Sequence, residues 1–152
     1  MICGNAKVGP GCQISELAII QPLSTVYRST IGEGSIVEEK CLIEGSNIGS
    51  DNLVEVGTVM NSCTVGNGNE FHLRCKLSNC TIGNYCVIGV EVVLDNAEIP
   101  DQTSVVLVNG ELKTLRNYRN GLTSLVSLYR TALSDPASAQ YLPKNHPIAS
   151  KP

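Results

Sequence analysis

Large apolar residues recur along this chain at a constant step: Ile31, Ile48, Val65, Ile82 and Ile99 stand 17 residues apart, and the first four are each followed by Gly. Ile31, Val37 and Ile43 subdivide the first interval, and Ile48, Val54, Met60, then Val65, Phe71, Leu77, then Ile82, Ile88, Leu94 repeat it with sides of six, six and five residues. A fixed period in this range marks a solenoid. Two positions before nearly every large residue sits a compact one, among them Ser29, Ser35, Cys41, Ser46, Asn52, Thr58, Cys63, Asn69, Cys75, Cys80 and Cys86. Small inward, variable outward, large inward is a short strand of period two. Gly32-Glu33-Gly34, Gly66-Asn67-Gly68, Asn61-Ser62, Ser78-Asn79 and Asp95-Asn96 then turn the corners, with residue types that tolerate positive φ. The pattern predicts an all-β solenoid: a parallel β-helix of about six coils, triangular in section, with like residues stacked from coil to coil.

The same register divides the chain. Residues 1–110 are expected to form the β-helix, opening on an incomplete coil in which Val8, Cys12 and Ile14 are already in step, and running from Ile31 to Glu98 without insertion or deletion. After the Asn109-Gly110 turn, residues 111–134 read as a linker and a C-terminal α-helix, because Leu122, Leu125, Val126, Tyr129 and Leu133 fall on one helical stripe. Pro136, Pro143, Pro147 and Pro152 make residues 135–152 an extended or mobile tail.

Composition changes this picture little. One Phe and no Trp suit a prism too narrow for large rings. A formal charge of −3 without a basic cluster argues against nucleic acid or an anionic membrane surface as partner. No run is apolar enough to insert in a membrane, and a cytoplasmic protein is the default expectation. Of the seven cysteines, six fall in the small inward slot, where a free thiol acts as a compact apolar filler; no Cys-x-x-Cys spacing suggests zinc.

Candidate chemistry is sparse. His72 reads as a solvent-exposed corner residue without an orienting partner or companion ligands, so no catalytic, metal or cofactor-binding residue is assigned. Asn52 and Asn69 stack in equivalent inward slots and read as structural. Glu38, Glu39 and Glu55 on neighbouring corners read as solvated charge rather than a cation site. Two of the three outer faces look apolar: one carries Ile36, Leu53, Glu70 and Val87, the other Leu42, Val59, Lys76 and Val93, joined by Val56, Leu73 and Val90 at the corners. Val8, Ile14, Ile20, Leu42, Val56, Val59, Leu73, Val90 and Val93 are therefore the expected partner-interface residues.

The Ile-Gly step resembles the hexapeptide-repeat proteins, which implies a left-handed β-helix. Within them, Ile31-Gly-Glu-Gly-Ser-Ile-Val-Glu-Glu, Ile48-Gly-Ser-Asp-Asn-Leu-Val-Glu-Val-Gly57 and Ile99-Pro-Asp-Gln-Thr103 followed by an apolar helix look like the dynactin subunit 6 family. The resemblance implies a non-catalytic structural or adaptor subunit of the dynactin pointed-end complex. Such a subunit would be cytoskeleton-associated, paired with dynactin subunit 5 and other pointed-end subunits, and would take no cofactor and no small-molecule substrate. The rival enzyme reading is a hexapeptide acyltransferase, normally a trimer that extrudes a loop to build its site; no loop is extruded here. A third is the regulatory β-helix of a nucleotidyltransferase-like complex.

Overall fold

The computed structural model describes residues 1–116 of the chain. Each coil lays one short strand into each of three sheets. The first sheet has six strands, from Lys7–Val8 to Val93–Asp95; the second has six, from Gln13–Ile14 to Glu98–Ile99; the third has seven, from Ile19–Ile20 to Glu111–Arg116. The register is the one the apolar period requires, since Ile14, Ile31, Ile48, Val65, Ile82 and Ile99 pair successively along the second sheet. Ile31, Val37, Ile43, Val54, Met60, Phe71, Leu77 and Ile88 fill the prism and are at most 2% exposed. Burying whole side chains in stacked rows supplies the apolar area that strands of two or three residues could not gather alone.

The compact residues have a second use. A corner breaks the strand ladder and leaves a backbone N–H inside the prism, where it must be paired. The side chain one coil earlier accepts it: Ser46 N–H donates to Ser29 Oγ at 3.1 Å, Asn69 N–H to Asn52 Oδ1 at 2.9 Å, and Cys86 N–H to Asn69 Oδ1 at 2.7 Å. Each amide then donates outward, Asn52 Nδ2 to Gly66 O and Asn69 Nδ2 to Gly83 O, both at 2.9 Å. The structural reading of Asn52 and Asn69 therefore holds.

At the corner that carries Asn52 and Asn69 the Ile-Gly pairs answer a close approach of coils. A Cβ built on Gly66 would lie 2.6 Å from Gly83 O and 2.4 Å from Asn84 Oδ1. Gly66→Ala is expected to lower stability by about 1–3 kcal/mol, because the obstacle is partly the Gly83 backbone and cannot simply rotate away. An unchanged melting temperature by circular dichroism would contradict this packing.

Both ends of the described solenoid differ from expectation. The N-terminal residues are not idle: Ile2 bridges Ile20, Cys3 N–H donates to Ile20 O at 2.9 Å, and Ile20 N–H donates to Met1 O at 2.9 Å. At the other end, residues 111–116 are not a linker. Asn109 and Gly110 take φ of 51° and 78°, a pair of left-handed residues that suits a tight hairpin, and Glu111–Arg116 folds back antiparallel on Thr103–Val108. Alternation in this segment buries Leu115 while its neighbours Thr114 and Arg116 stay exposed. The helix expected around Leu122 to Leu133 and the tail from residue 135 lie outside the described residues. Among the described residues no helix is long and apolar enough to cross a membrane.

Candidate functional site

The 17-residue step places Glu38, Glu55 and His72 in one column at the corner that follows the third sheet. Backbone bonds fix the column: Glu38 N–H donates to Val54 O at 2.8 Å, Glu55 N–H to Phe71 O at 2.9 Å, and His72 N–H to Ile88 O at 2.8 Å. The His72 carbonyl is held as well, accepting from Thr58 Oγ1 at 3.2 Å and Cys75 Sγ at 3.1 Å. With its main chain anchored on both sides, the imidazole is confined to the space between two carboxylates. Nδ1 lies 3.0 Å from Glu55 Oε1, and Nε2 lies 3.4 Å from Glu70 Oε1.

This corrects the reading of His72 as an exposed corner residue, since it is 5% exposed and Glu70 6%. The reason lies in the outer face of the third sheet. Glu70, Val87 and Ser104 follow one another in the outward row of that face, and all are buried. His72 also has an orienting partner, Glu55, one coil away rather than nearby in sequence. Nε2 is buried and makes no hydrogen bond within the described residues. Beneath the pair, burial and the charge of Glu55 push the Glu38 carboxyl above its ordinary range. The signal was present in the sequence: residues 55 and 72 are one period apart, and Glu70 interrupts the apolar run Ile36, Leu53, Val87 of the outward row.

A cavity of about 440 Å³ opens on the same sheet, lined by Gly34, Ile36, Asp51, Asn52, Leu53, Gly68 and Tyr85. Leu53 is the strand partner of Glu70. Glu70 is thus a strand neighbour of one lining residue and follows another, Gly68, by two positions along the coil.

The expected interface residues are not brought into one patch. Ile20 is fully buried and belongs to the core, so it cannot lie at an opening; the bridge from Ile2 covers its strand. Val8 and Ile14 are half-buried, and Ile14 lines a small cavity with Met1, Ile2, Ser15 and Glu16. Leu42, Leu73 and Val93 are exposed, while Val56, Val59 and Val90 are half-buried. Leu42, Val59 and Val93 share the outer face of the first sheet, with Lys76 between them.

The thiols are fillers. All seven are free, and Cys41 and Cys75 are pushed by burial up to about 11 and about 12. At pH 8 the thiolate fraction of Cys75 is then on the order of 10⁻⁴. Brief iodoacetamide treatment of the folded protein is expected to label Cys3 and Cys12, which are half-buried, before the five buried thiols. Peptide mapping that found Cys75 modified first would contradict this placement.

No protein-family profile matches the chain, and no curated protein matches it. Solved structures do. A perosamine N-acetyltransferase mutant from Caulobacter crescentus, in complex with CoA and GDP-perosamine, superposes with a TM-score of 0.68 at 18% identity, covering 74% of this chain and 55% of that one. A hexapeptide transferase family protein from Anaplasma phagocytophilum gives 0.52 at 14% identity, covering 92% and 91%. The acetyltransferase domain of PglB from Neisseria gonorrhoeae gives 0.50 at 19%, covering 76% and 57%. The chain thus spans little more than half the length of two of these structures. Together they show the fold, a left-handed parallel β-helix of the hexapeptide-transferase type. They also correct two expectations: the non-catalytic dynactin adaptor and the absence of an enzyme activity. Two of these structures are acetyltransferases, one with CoA bound, and no dynactin subunit stands among them, although the Val37-Glu38-Glu39 and Val54-Glu55-Val56-Gly57 corners had pointed to one.

Proposed function

We propose that the chain is an acyltransferase that uses a CoA thioester, with its reacting centre at the corner formed by Glu55, Glu70 and His72. One observation carries the reading: His72 is held by Glu55 through Nδ1 at 3.0 Å, and its other ring nitrogen is turned to the face that carries Glu70. A carboxylate on Nδ1 fixes the tautomer that leaves Nε2 as a proton acceptor and stabilises the imidazolium that forms. The fold of known acetyltransferases supports the donor class.

In the proposed reaction an amine or hydroxyl of the acceptor attacks the thioester carbonyl while its proton passes to Nε2. The tetrahedral intermediate collapses, the carbon–sulfur bond breaks, and the proton goes from Nε2 to the departing CoA sulfur. Burial of the cluster strengthens the Glu55 interaction at the step where the imidazole becomes charged. The groove beside Glu70 is the place for the acceptor, being apolar on most of its wall and close by register to the imidazole.

The test is calorimetric titration with acetyl-CoA, followed by mass spectrometry of a panel of amine and hydroxyl acceptors incubated with the protein and labelled acetyl-CoA. Saturable binding and a labelled product are expected. Neither binding nor product from any acceptor would overturn the proposal.

A further inference from the structure

We infer that His72 Nε2 and Glu70 also form a site for a divalent cation of the zinc class, with Glu55 as the support behind the imidazole. The starting point is a buried ring nitrogen that makes no hydrogen bond although a carboxylate stands beside it. Nε2 is buried and has no hydrogen-bond partner within the described residues, although Glu70 Oε1 stands 3.4 Å from it. An imidazolium clamped between two carboxylates would satisfy both ring nitrogens, but only Nδ1 makes such a bond. Two donors bound at about 2.1 Å to one tetrahedral ion stand about 3.4 Å apart. That is the separation observed.

Three further features agree. One ligand atom from each of Glu55, Glu70 and His72 falls within 4.8 Å of the others, at a place where Glu70 and His72 are almost fully buried. Two carboxylates flank one imidazole in a poorly solvated corner, a donor set that suits a divalent cation. The Glu55 contact completes a carboxylate–histidine–metal line, the arrangement that fixes the ring and raises its basicity toward a metal. A nitrogen ligand selects zinc-class ions over calcium or magnesium, which take oxygen sets. The buried thiols do not contribute, because no cysteine belongs to the cluster.

The ion and the proton compete for the same lone pair on Nε2. If the acyl-transfer proposal is right, on which this consequence alone rests, zinc therefore acts as an inhibitor that a chelator reverses.

The experiment titrates chelator-treated full-length protein with Co²⁺ and Zn²⁺, followed by visible absorption and calorimetry, with acyl transfer measured in parallel. One ion per chain is expected, with the d–d bands of a nitrogen and oxygen set and no thiolate charge-transfer band. Glu70→Gln and His72→Gln are each expected to weaken binding by at least about tenfold, and Glu55→Gln by about 10- to 100-fold. Circular dichroism identifies any variant that fails to fold, and Glu70→Gln, the most conservative change, then decides. Absence of binding, a thiolate band, or unchanged affinity in folded Glu70→Gln or His72→Gln would overturn the site. Binding without any acyl transfer in the metal-free protein upholds the site and removes the enzyme reading; transfer that ignores zinc, with no binding, does the reverse.

Discussion

His72→Asn is expected to lower acyl transfer by about 10²- to 10⁴-fold, the range that loss of a positioned general base gives, while acetyl-CoA still binds. Asn keeps a side chain that can accept from or donate to Glu55, but it has no lone pair able to take a proton at neutral pH. The loss should therefore appear in kcat more than in KM. Glu55→Gln separates proton transfer from orientation. Gln can still hold Nδ1 in place, yet it removes the charge that stabilises the imidazolium, so a smaller fall than for His72→Asn is expected. Steady-state kinetics of the three proteins, with melting curves to show that each is folded, check the scheme. Equal activity in His72→Asn and the parent would move the chemistry away from this corner.

Val65→Asp should be the most damaging single change in the solenoid, lowering stability by about 3–5 kcal/mol. Val65 is 4% exposed and pairs with Ile48 on one side and Ile82 on the other. An aspartate there meets apolar rows above and below, and no cation lies in the column to pair with it. Its alternatives are to stay protonated or to force the coils apart, and both cost stability. Val65→Ala is the companion measurement, because it only creates a cavity and should cost less. Denaturant melts in which the aspartate variant matched the parent would mean that Val65 does not face the core.

The fold was legible because each coil repeats one physical demand. Ile31 and its successors had to point inward for the same reason, and Ser29, Ser35 and Asn52 had to be small for the same reason; repetition turned weak local preferences into a register. The corners were legible in position but less so in residue type, since Lys40, Arg74, Tyr85 and Glu91 all take positive φ without being turn formers. Stacking against the next coil decides there, not local propensity. The turn at Asn109-Gly110 was legible but its second strand was not, since nothing in the sequence separates Glu111–Arg116 from the helical stripe that follows.

The site was harder to read for a different reason. His72, Glu55 and Glu70 are ordinary surface types, and a solenoid presents most of its corner residues to solvent. Taken singly, His72 has only Glu70 near it in sequence, on the other side of its ring from the carboxylate that hydrogen-bonds it. Only the period makes Glu55 its neighbour, and only the burial of the outer row containing Glu70 and Val87 turns a corner into an enclosed cluster. The adaptor reading failed on related ground: the Val54-Glu55-Val56-Gly57 corner that helped carry it holds the same Glu55 that stands against His72, and a short likeness in sequence does not say what a corner does.

The uninterrupted 17-residue step has one more consequence, for how this chain tolerates a change in length. It has a reading frame. Gain or loss of a full turn would leave every later residue on its own column, lengthening or shortening the prism without altering a single lateral neighbour. A change of one residue within a strand would instead exchange the inward and outward sets from that point to the next corner. Growth is therefore permitted in whole turns or as bulges at the corners, and the column that joins Glu55 to His72 could be parted only by inserting a coil between them.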